Sequence, residues 1–551
     1  MARNKARERR SNPLPFLIMI EALLLGLAAM AVFALLSDQY DRAQSSVAGL
    51  TAVARATDAF IAMISSTPPT PTRTTTRTVT TTSTRTITPT PSVTPTPSIS
   101  PTPTLSPTPS RTRTPRPPTV PPTPRPPTEV PSTALTHCGT INDAGTYVLG
   151  NDLGASGECI TVKASYVVLE CGGHAITGNL TGYGVAIRKY GLLNLETPGY
   201  VEVHNCHVSR FTYGIYVEAG DHLVIRNNDS SNNYDDTDPA TRFGKFLGMT
   251  EGGGIRLNYA TASQVLNNTA LHQAIGIDVR YSNGVSVQGN TASDNSAWGI
   301  NFLRTQNSNA TGNSTADNVR KCTWGAGTVG FGCDAGGIVI QDGSNGITVA
   351  NNTLTGRNGN GVFIKAHALP CGSNNSILGN TINSVLYNAV ELSFCTGNKV
   401  NNNQIHGGLD GVWLGFAHDN EIRNNTISGM SNHGVISLNS RSNTVSGNQI
   451  MSSNEAIYFY TESYDPAAYA WLPAGDYRSF GNCLCGNTLQ SNTVAVHLMD
   501  STSNQVTNNT YRDNQRTFLV QGNSDGNNLQ GLLPGDDLWN QGVAGLQFPV
   551  R

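Results

Sequence analysis

Charge is scarce in this 551-residue chain: Asp, Glu, Lys and Arg make up 13% of it, about half the usual share for a soluble globular protein. Net charge is −2 and the pI about 6.6, so the basic surplus that a nucleic-acid partner requires is missing. Cysteine is absent from the first 137 residues, and all ten cysteines lie between Cys138 and Cys485. An even number confined to one segment points to disulfides and an oxidising compartment, with connectivity left open by spacing alone.

The N-terminal quarter also lacks anything that would build a folded core. Residues 1–13 form a basic segment carrying Arg3, Lys5, Arg7, Arg9 and Arg10. Residues 14–36 (LPFLIMIEALLLGLAAMAVFALL) are apolar apart from Glu21, long enough to cross about 30 Å of hydrocarbon as a helix. The basic flank belongs in the cytoplasm, which places everything after Ser37 outside the cell or in the periplasm. The competing reading is a cleaved signal peptide ending near Ala29-Met30-Ala31, although signal cores run to only about 7–15 residues.

In residues 37–65, Tyr40, Val47, Ala54 and Ile61 recur every seven residues, with Ala43, Leu50, Thr57 and Ile64 interleaved. That pattern fits a short self-associating coiled coil or an amphipathic helix on the membrane surface. Residues 66–133 are Thr, Pro, Ser and Arg (TPTPSVTPTPSISPTPTLSPTPS). Proline blocks helix and sheet ladders, so a disordered, semi-rigid linker is expected, reaching on the order of 200 Å at about 3.1 Å per residue.

Residues 134–551 are different, because they repeat. A small residue followed by alternating apolar positions recurs as GIYV at Gly214, GIRL at Gly254, GIDV at Gly276, GINF at Gly299, GIVI at Gly337 and GVFI at Gly361. It continues as AVEL at Ala389, GVWL at Gly411, GVIS at Gly434, AIYF at Ala456 and AVHL at Ala495. A second phrase follows each copy and ends on Asn228, Asn268, Asn290, Asn313, Asn352, Asn380, Asn403, Asn425, Asn448, Asn487 and Asn509. Most steps are 22 or 23 residues.

Two short strands per repeat cannot bury their apolar faces alone, whereas stacked coils pair every backbone and line the interior with Ile, Val and Leu. The recurrent Asn is expected to take the left-handed backbone of a corner and to bond its neighbours amide to amide. A shorter ladder is expected at Asn375, Asn398, Asn420, Asn443, Asn482 and Asn504. The fold class is therefore all-β: a right-handed parallel β-helix with a C-terminal cap, preceded by a transmembrane helix and a stalk.

The stretch YVVLECGGHAITG (166–178), followed by YGVAI, VEVHNCHVS and YGIYV, resembles right-handed parallel β-helix proteins of the pectin-lyase-like superfamily. Within it, the similarity is to the family of periplasmic copper-maturation proteins of nitrous oxide reductase, over roughly residues 138–530. The resemblance implies fold and leaves function open, since the superfamily includes lyases, hydrolases, epimerases, adhesins and non-enzymes. Cys206 stands at the ladder position one repeat before Asn228, which suggests a disulfide to Cys171. Cys138, Cys159, Cys322, Cys333, Cys371 and Cys395 are further disulfide candidates, with Cys322 and Cys333 closing one loop. Cys483 and Cys485 suggest a local disulfide, a partner elsewhere or a metal.

Residues alternating with the apolar ones are expected to face solvent. They include Arg256, Asp278, Arg280, Phe363, Lys365, Glu391, Trp413, Tyr458 and Tyr460, a mixture of charge and rings that suits sugar binding. A second column, before the small residue, holds Asn360, Asn388, Asp410, His433 and Glu455. Stacking places Asp410 and Glu455 about 9–10 Å apart, at the far edge of an inverting glycosidase pair. A lyase would instead use a base with a cation, for which Lys365 near Glu391 is the candidate. Ordinary turn chemistry explains the same column. No Asp pair beside a GHG segment and no DPHD segment is present, so the signatures of polygalacturonases and alginate epimerases are missing.

Insertions after Asn228 and Asn313 leave the same corner three coils apart, on the order of 14 Å, and so could wall a groove. Asp235, Asp236 and Asp238 in the first offer oxygen ligands for Ca²⁺, without the Gly and closing Glu of an EF-hand; no other cofactor is evident. A third insertion, residues 461–481, is rich in Tyr and Trp. Three functions follow: binding or modifying a polysaccharide or cell-wall glycan at the cell surface, a non-catalytic adhesin or rod, or copper maturation. Scattered histidines count against the last.

Overall fold

The computed structural model describes residues 132–234, 252–319, 335–365, 371–464 and 475–531. The segments expected to form the membrane helix, the coiled coil, most of the stalk and the end of the C-terminal cap lie outside them. Among the described residues, no helix is long and apolar enough to cross a membrane.

The described chain winds as a solenoid whose strands pair only in parallel. One 16-stranded sheet begins with Ser132–Leu135 and ends with Asn528–Leu529, each strand paired with those one coil before and after. Fifteen spacings of about 4.8 Å make this sheet about 70 Å long. A second sheet carries the six-residue strands of the repeat, such as Ile275–Arg280, Gly336–Gln341 and Glu455–Tyr460. A third sheet runs through Thr353–Thr355, Thr381–Asn383 and Thr488–Gln490. In two coils the third and second sheets are continuous, as Gln404–Gly415 and Thr426–Leu438.

Period-2 alternation produces this directly. In the three-residue strands of the first sheet only the central residue points inward, so Val349, Ile377, Val400, Ile422, Val445, Leu484 and Val506 stack as a buried aliphatic column. Ile338, Val362, Val390, Val412, Val435, Ile457 and Val496 do the same for the long strands. One continuous core runs from Ile141 to Leu529.

The asparagine ladder runs unbroken from Asn228 to Asn509. Each buried amide donates Nδ2–H to the Oδ1 of the next coil's Asn at 2.9–3.1 Å, and that Oδ1 also accepts the backbone N–H. The expected conformation is corrected in one respect. The left-handed backbone belongs to the residue before the ladder position, as at Asn227, Asn267, Asn351, Asn402, Asn424 and Asn508, and not to the ladder Asn itself. One residue turns the chain and the next bonds between coils. The second ladder also forms, and extends past Asn504 to Asn527.

Disulfides join Cys138–Cys159, Cys171–Cys206, Cys371–Cys395 and Cys483–Cys485. Cys206 also gives its backbone N–H to Asn228 Oδ1 at 3.0 Å, so the disulfide caps the first ladder. Cys322 and Cys333 lie outside the described residues.

Candidate functional site

The long strands turn one face to the core and present the other as three columns. One column reads Arg256, Asp278, Asn301, Val339, Phe363, Glu391, Trp413, Ile436, Tyr458 and His497. A neighbouring column includes Arg280, Gln341, Lys365, Gly415, Leu438 and Tyr460. The third contains Trp298, Asn360, Asn388, Asp410, His433 and Glu455.

The expectation that this face is open to solvent fails over its N-terminal half. Arg256, Asp278, Asn301, Val339, Gln341, Phe363 and Lys365 are all buried. The physical reason is a second apolar cluster on the outward side, formed by Ala274, Ile275, Ala297, Trp298, Val339 and Phe363. Charged groups beside it pair with one another. Arg256 Nε and Nη2 lie 2.9 and 2.8 Å from Asp278 Oδ2, and Arg280 Nε lies 2.9 Å from the same oxygen. Asn301 Nδ2 donates to Asp278 Oδ1 at 2.8 Å, and Gln341 donates in turn to Asn301. Burial alone would raise the Asp278 carboxyl, but the Arg280 and Arg256 guanidiniums outweigh it and hold it below the ordinary carboxylate range. Arg256 also lies 4.1 Å from the centre of the Tyr213 ring. This half reads as a braced wall.

In the middle coils, Glu391 is fixed by three donors: Asn360 at 3.1 Å, Asn388 at 2.8 Å and Ser393 at 2.6 Å. Lys365 is not its register partner; it lies one column over, with Nζ 4.9 Å from the centre of the Phe363 ring.

Over the C-terminal coils the face opens, with Trp413, His433, Glu455, Tyr458 and Tyr460 half-buried. A register irregularity between Gly408 and Asp410 leads into the strand that sets Asp410 beside His433. His433 Nδ1 is 2.7 Å from Asp410 Oδ1, and its Nε2 is 3.7 Å from Glu455 Oε2. Glu455 then meets His497 Nδ1 at 3.1 Å, and His497 Nε2 lies 3.1 Å from Gln521 Oε1. The imidazole thus occupies the gap between the carboxylates that an inverting pair would keep for water. Tyr458 stacks between the two histidines, with ring centres 5.3 Å from His433 and 4.2 Å from His497, and Tyr460 stacks on Tyr458 at 4.6 Å. Burial, reinforced by Glu455, raises the Tyr458 phenol, and burial with Glu462 raises that of Tyr460. Both remain proton donors across the working range.

Trp413 borders this row. Its indole lies where a Cβ on Gly415 would stand, 1.9 Å from Cη2, so glycine there lets the ring lie flat. Phe394, Phe416, Leu438, Tyr464 and Tyr477 pack alongside. Among the described residues, no three His, Cys, Asp or Glu side chains converge as a metal site. Asp235, Asp236 and Asp238 lie outside those residues, as do parts of all three insertions.

Residues 190–370 match the family described as a right handed beta helix region, and residues 365–531 match that described as periplasmic copper-binding protein (NosD). The chain is a right-handed parallel β-helix protein. Similar solved structures include the A-module of mannuronan C-5 epimerase AlgE6 from Azotobacter vinelandii, 15% identical over 70% of this chain and 90% of that one, with a TM-score of 0.38. A variant of the periplasmic alginate epimerase AlgG is 14% identical over 67% of this β-helix chain and 78% of its own, at 0.42. DFA-IIIase from Arthrobacter chlorophenolicus A6 is 12% identical over 66% and 83%, at 0.36. No curated protein matches the sequence.

Of the residues singled out in the sequence, Asp410, His433, Glu455 and Tyr458 meet on the β-helix, and Trp413 and Tyr460 flank them. Arg256, Asp278 and Arg280 form a separate buried group. His497, Gln521 and the Asn360–Asn388 clamp on Glu391 were not picked out as one network. Their signal was present in the column register, which needs the length of every insertion to be followed.

Proposed function

We propose that this β-helix acts outside the cytoplasm on a polysaccharide, bound along the outward face between Glu391 and His497. The observation that carries the reading is the row Asp410–His433–Glu455–His497, half-open at His433 and Glu455 and buried at Asp410 and His497, with half-buried Trp413, Tyr458 and Tyr460 beside it. Aromatic rings bury the apolar faces of pyranoses, and carboxylate–imidazole pairs accept hydroxyls or move protons. With Nδ1 engaged by Asp410, His433 is oriented as an acid–base group, while Tyr458 supplies a proton donor. Disulfides and the apolar N-terminal segment support an address outside the cytoplasm, as does the word "periplasmic" in the matched family's description. Membrane anchoring through residues 14–36 and self-association through 37–65 belong to the same proposal.

The test is a screen of the full chain in detergent micelles against acidic and neutral polysaccharides, following affinity, new reducing ends and the ultraviolet absorbance of unsaturated products. Trp413→Ala should weaken binding at least about tenfold, as expected for loss of a stacking anchor, and Tyr458→Ala should weaken it less, through loss of the ring that packs between His433 and His497. His433→Gln should leave affinity and remove turnover. Absence of binding to any polymer would refute the reading and favour an adhesive rod. The match of residues 365–531 to a copper-binding family carries a second reading, for which stoichiometric copper retained after loading and dialysis is the decisive result.

A further inference from the structure

Among the described residues few large hydrophobics are left open, and all of them except Leu180 lie along one turn of the solenoid. Between the strands Tyr183–Ile187 and Glu202–His204, a short loop closes through paired backbone bonds between Tyr190 and Glu196, both 3.0 Å. At its tip Leu192, Leu193 and Leu195 are 84, 79 and 75% exposed. The tip is a tight turn in which Asn194 N–H donates to Gly191 O at 3.3 Å, and Gly191 takes a φ of 75° where a Cβ would strike Glu196. Leu193 itself has a left-handed φ of 60°, a conformation that an ordinary residue holds at some cost.

Four exposed tyrosines flank this same turn of the solenoid. Gly199, Asp221, Thr261 and Asn283 are bridged coil to coil along it. Tyr200 follows the first of these and stacks on Tyr166, while Tyr259 and Tyr281 precede the last two and stack on each other. This edge therefore carries three highly exposed leucines at one loop tip and four exposed tyrosines along the same turn of the solenoid. It lies three strand spacings from Ser132–Leu135 in the 16-stranded sheet, on the order of 15 Å, at the end where the preceding 131 residues join.

We propose that the Leu192–Leu195 loop inserts into a lipid bilayer, with the flanking tyrosines at headgroup level. Exposed leucines at a loop tip accompanied by exposed tyrosines match the composition of a membrane interface, where acyl chains take the aliphatic groups and amphipathic rings favour the boundary. An exposed tip with no charged residue between Leu192 and Leu195 suits a fluid apolar phase better than a shaped protein pocket. The three leucines offer on the order of 400 Å², about half of what each side of a stable protein interface buries. The proposal rests on the reading of residues 14–36 as an anchor, which makes the second contact intramolecular and so populated even when weak. The expected stalk limits how far the domain can stray and sets no minimum distance.

The test reconstitutes the full chain into neutral phosphatidylcholine vesicles. Leu193→Cys and, on the opposite corner, Leu180→Cys are each labelled with an environment-sensitive fluorophore. Expected is a blue shift at position 193 with severalfold quenching by lipid-borne nitroxide, and neither at position 180. Adding Leu192→Ser and Leu195→Ser should abolish the quenching while the thermal transition stays unchanged. A blue shift without lipid quenching would mean a protein contact, such as a second copy, and would overturn the proposal. Equal, water-like emission at both positions would overturn it as well. Flotation separates the two ideas: a chain that floats without quenching at 193 keeps its anchor and loses the loop, and a chain that does not float loses both.

Discussion

Asn403 is the position at which the ladder can be tested most directly. Its Oδ1 accepts the backbone N–H and the amide N–H of Asn380, both at 2.9 Å, and its Nδ2 donates to Ile377 O at 3.0 Å and Asn425 Oδ1 at 2.9 Å. Asn403→Ala removes four bonds between fully buried partners. At about 1 kcal/mol net for each, the loss is about 4 kcal/mol, and the two buried Asn380 N–H groups left without an acceptor add about 1–2 kcal/mol each. The same change at Asn509, the half-buried last rung, should cost about 1 kcal/mol, because water reaches the groups set free. Gln404→Ala on the exposed side of the next strand should cost nearly nothing. A solenoid need not unfold as one unit, so the assay is residue-level hydrogen exchange of coils 375–450 alongside urea denaturation. If Asn403→Ala falls within about 1 kcal/mol of Gln404→Ala, the ladder does not stabilise the coils and the reasoning is wrong.

Asp278→Asn strands two buried guanidiniums and should cost about 3–5 kcal/mol in denaturant unfolding. The folded-state carboxyl is depressed, so its contribution is fully present above the unfolded value of about 4 and is lost as pH falls through the folded value. The acid limb of the stability profile should therefore flatten in Asp278→Asn. Gly415→Ala should displace the Trp413 indole, shifting its emission and weakening any glycan binding several-fold, with little effect on the melting transition. Replacing Cys171 and Cys206, or Cys371 and Cys395, by serine opens loops of 35 and 24 residues. Loop entropy puts the loss at about 3–4 kcal/mol for each pair, measurable by urea titration.

The fold was legible because its determinants repeat. An inward Val or Ile must recur with each coil, and an amide that bonds the coil above and below cannot be replaced by a residue that does only one of these. A third set of rungs escaped notice although it lies five residues past the first: Asn233 on Gln273, Asn295 on Asn318, and Asn492 on Asn514. It is interrupted where Val385 and Met430 turn the same corner into hydrophobic core, so its period is visible only from the coordinates.

The outward face was read less well, and for a physical reason. Alternation says which residues point away from the core, and says nothing about whether something else covers them. Arg256, Asp278 and Phe363 point outward and are buried all the same. A clue stood in the sequence at Ala274-Ile275 and Ala297-Trp298, apolar pairs at the column that holds Asn360, Asp410 and His433 further along. Where that column is apolar the face closes over a second core; it stays closed through the coil of Asn360, Phe363 and Lys365 and opens from Asn388 and Glu391 onward. The face therefore opens between Lys365 and Asn388, so a ligand is expected only on the C-terminal side of that step, and substitutions at Arg256 or Arg280 should lower stability before they touch binding.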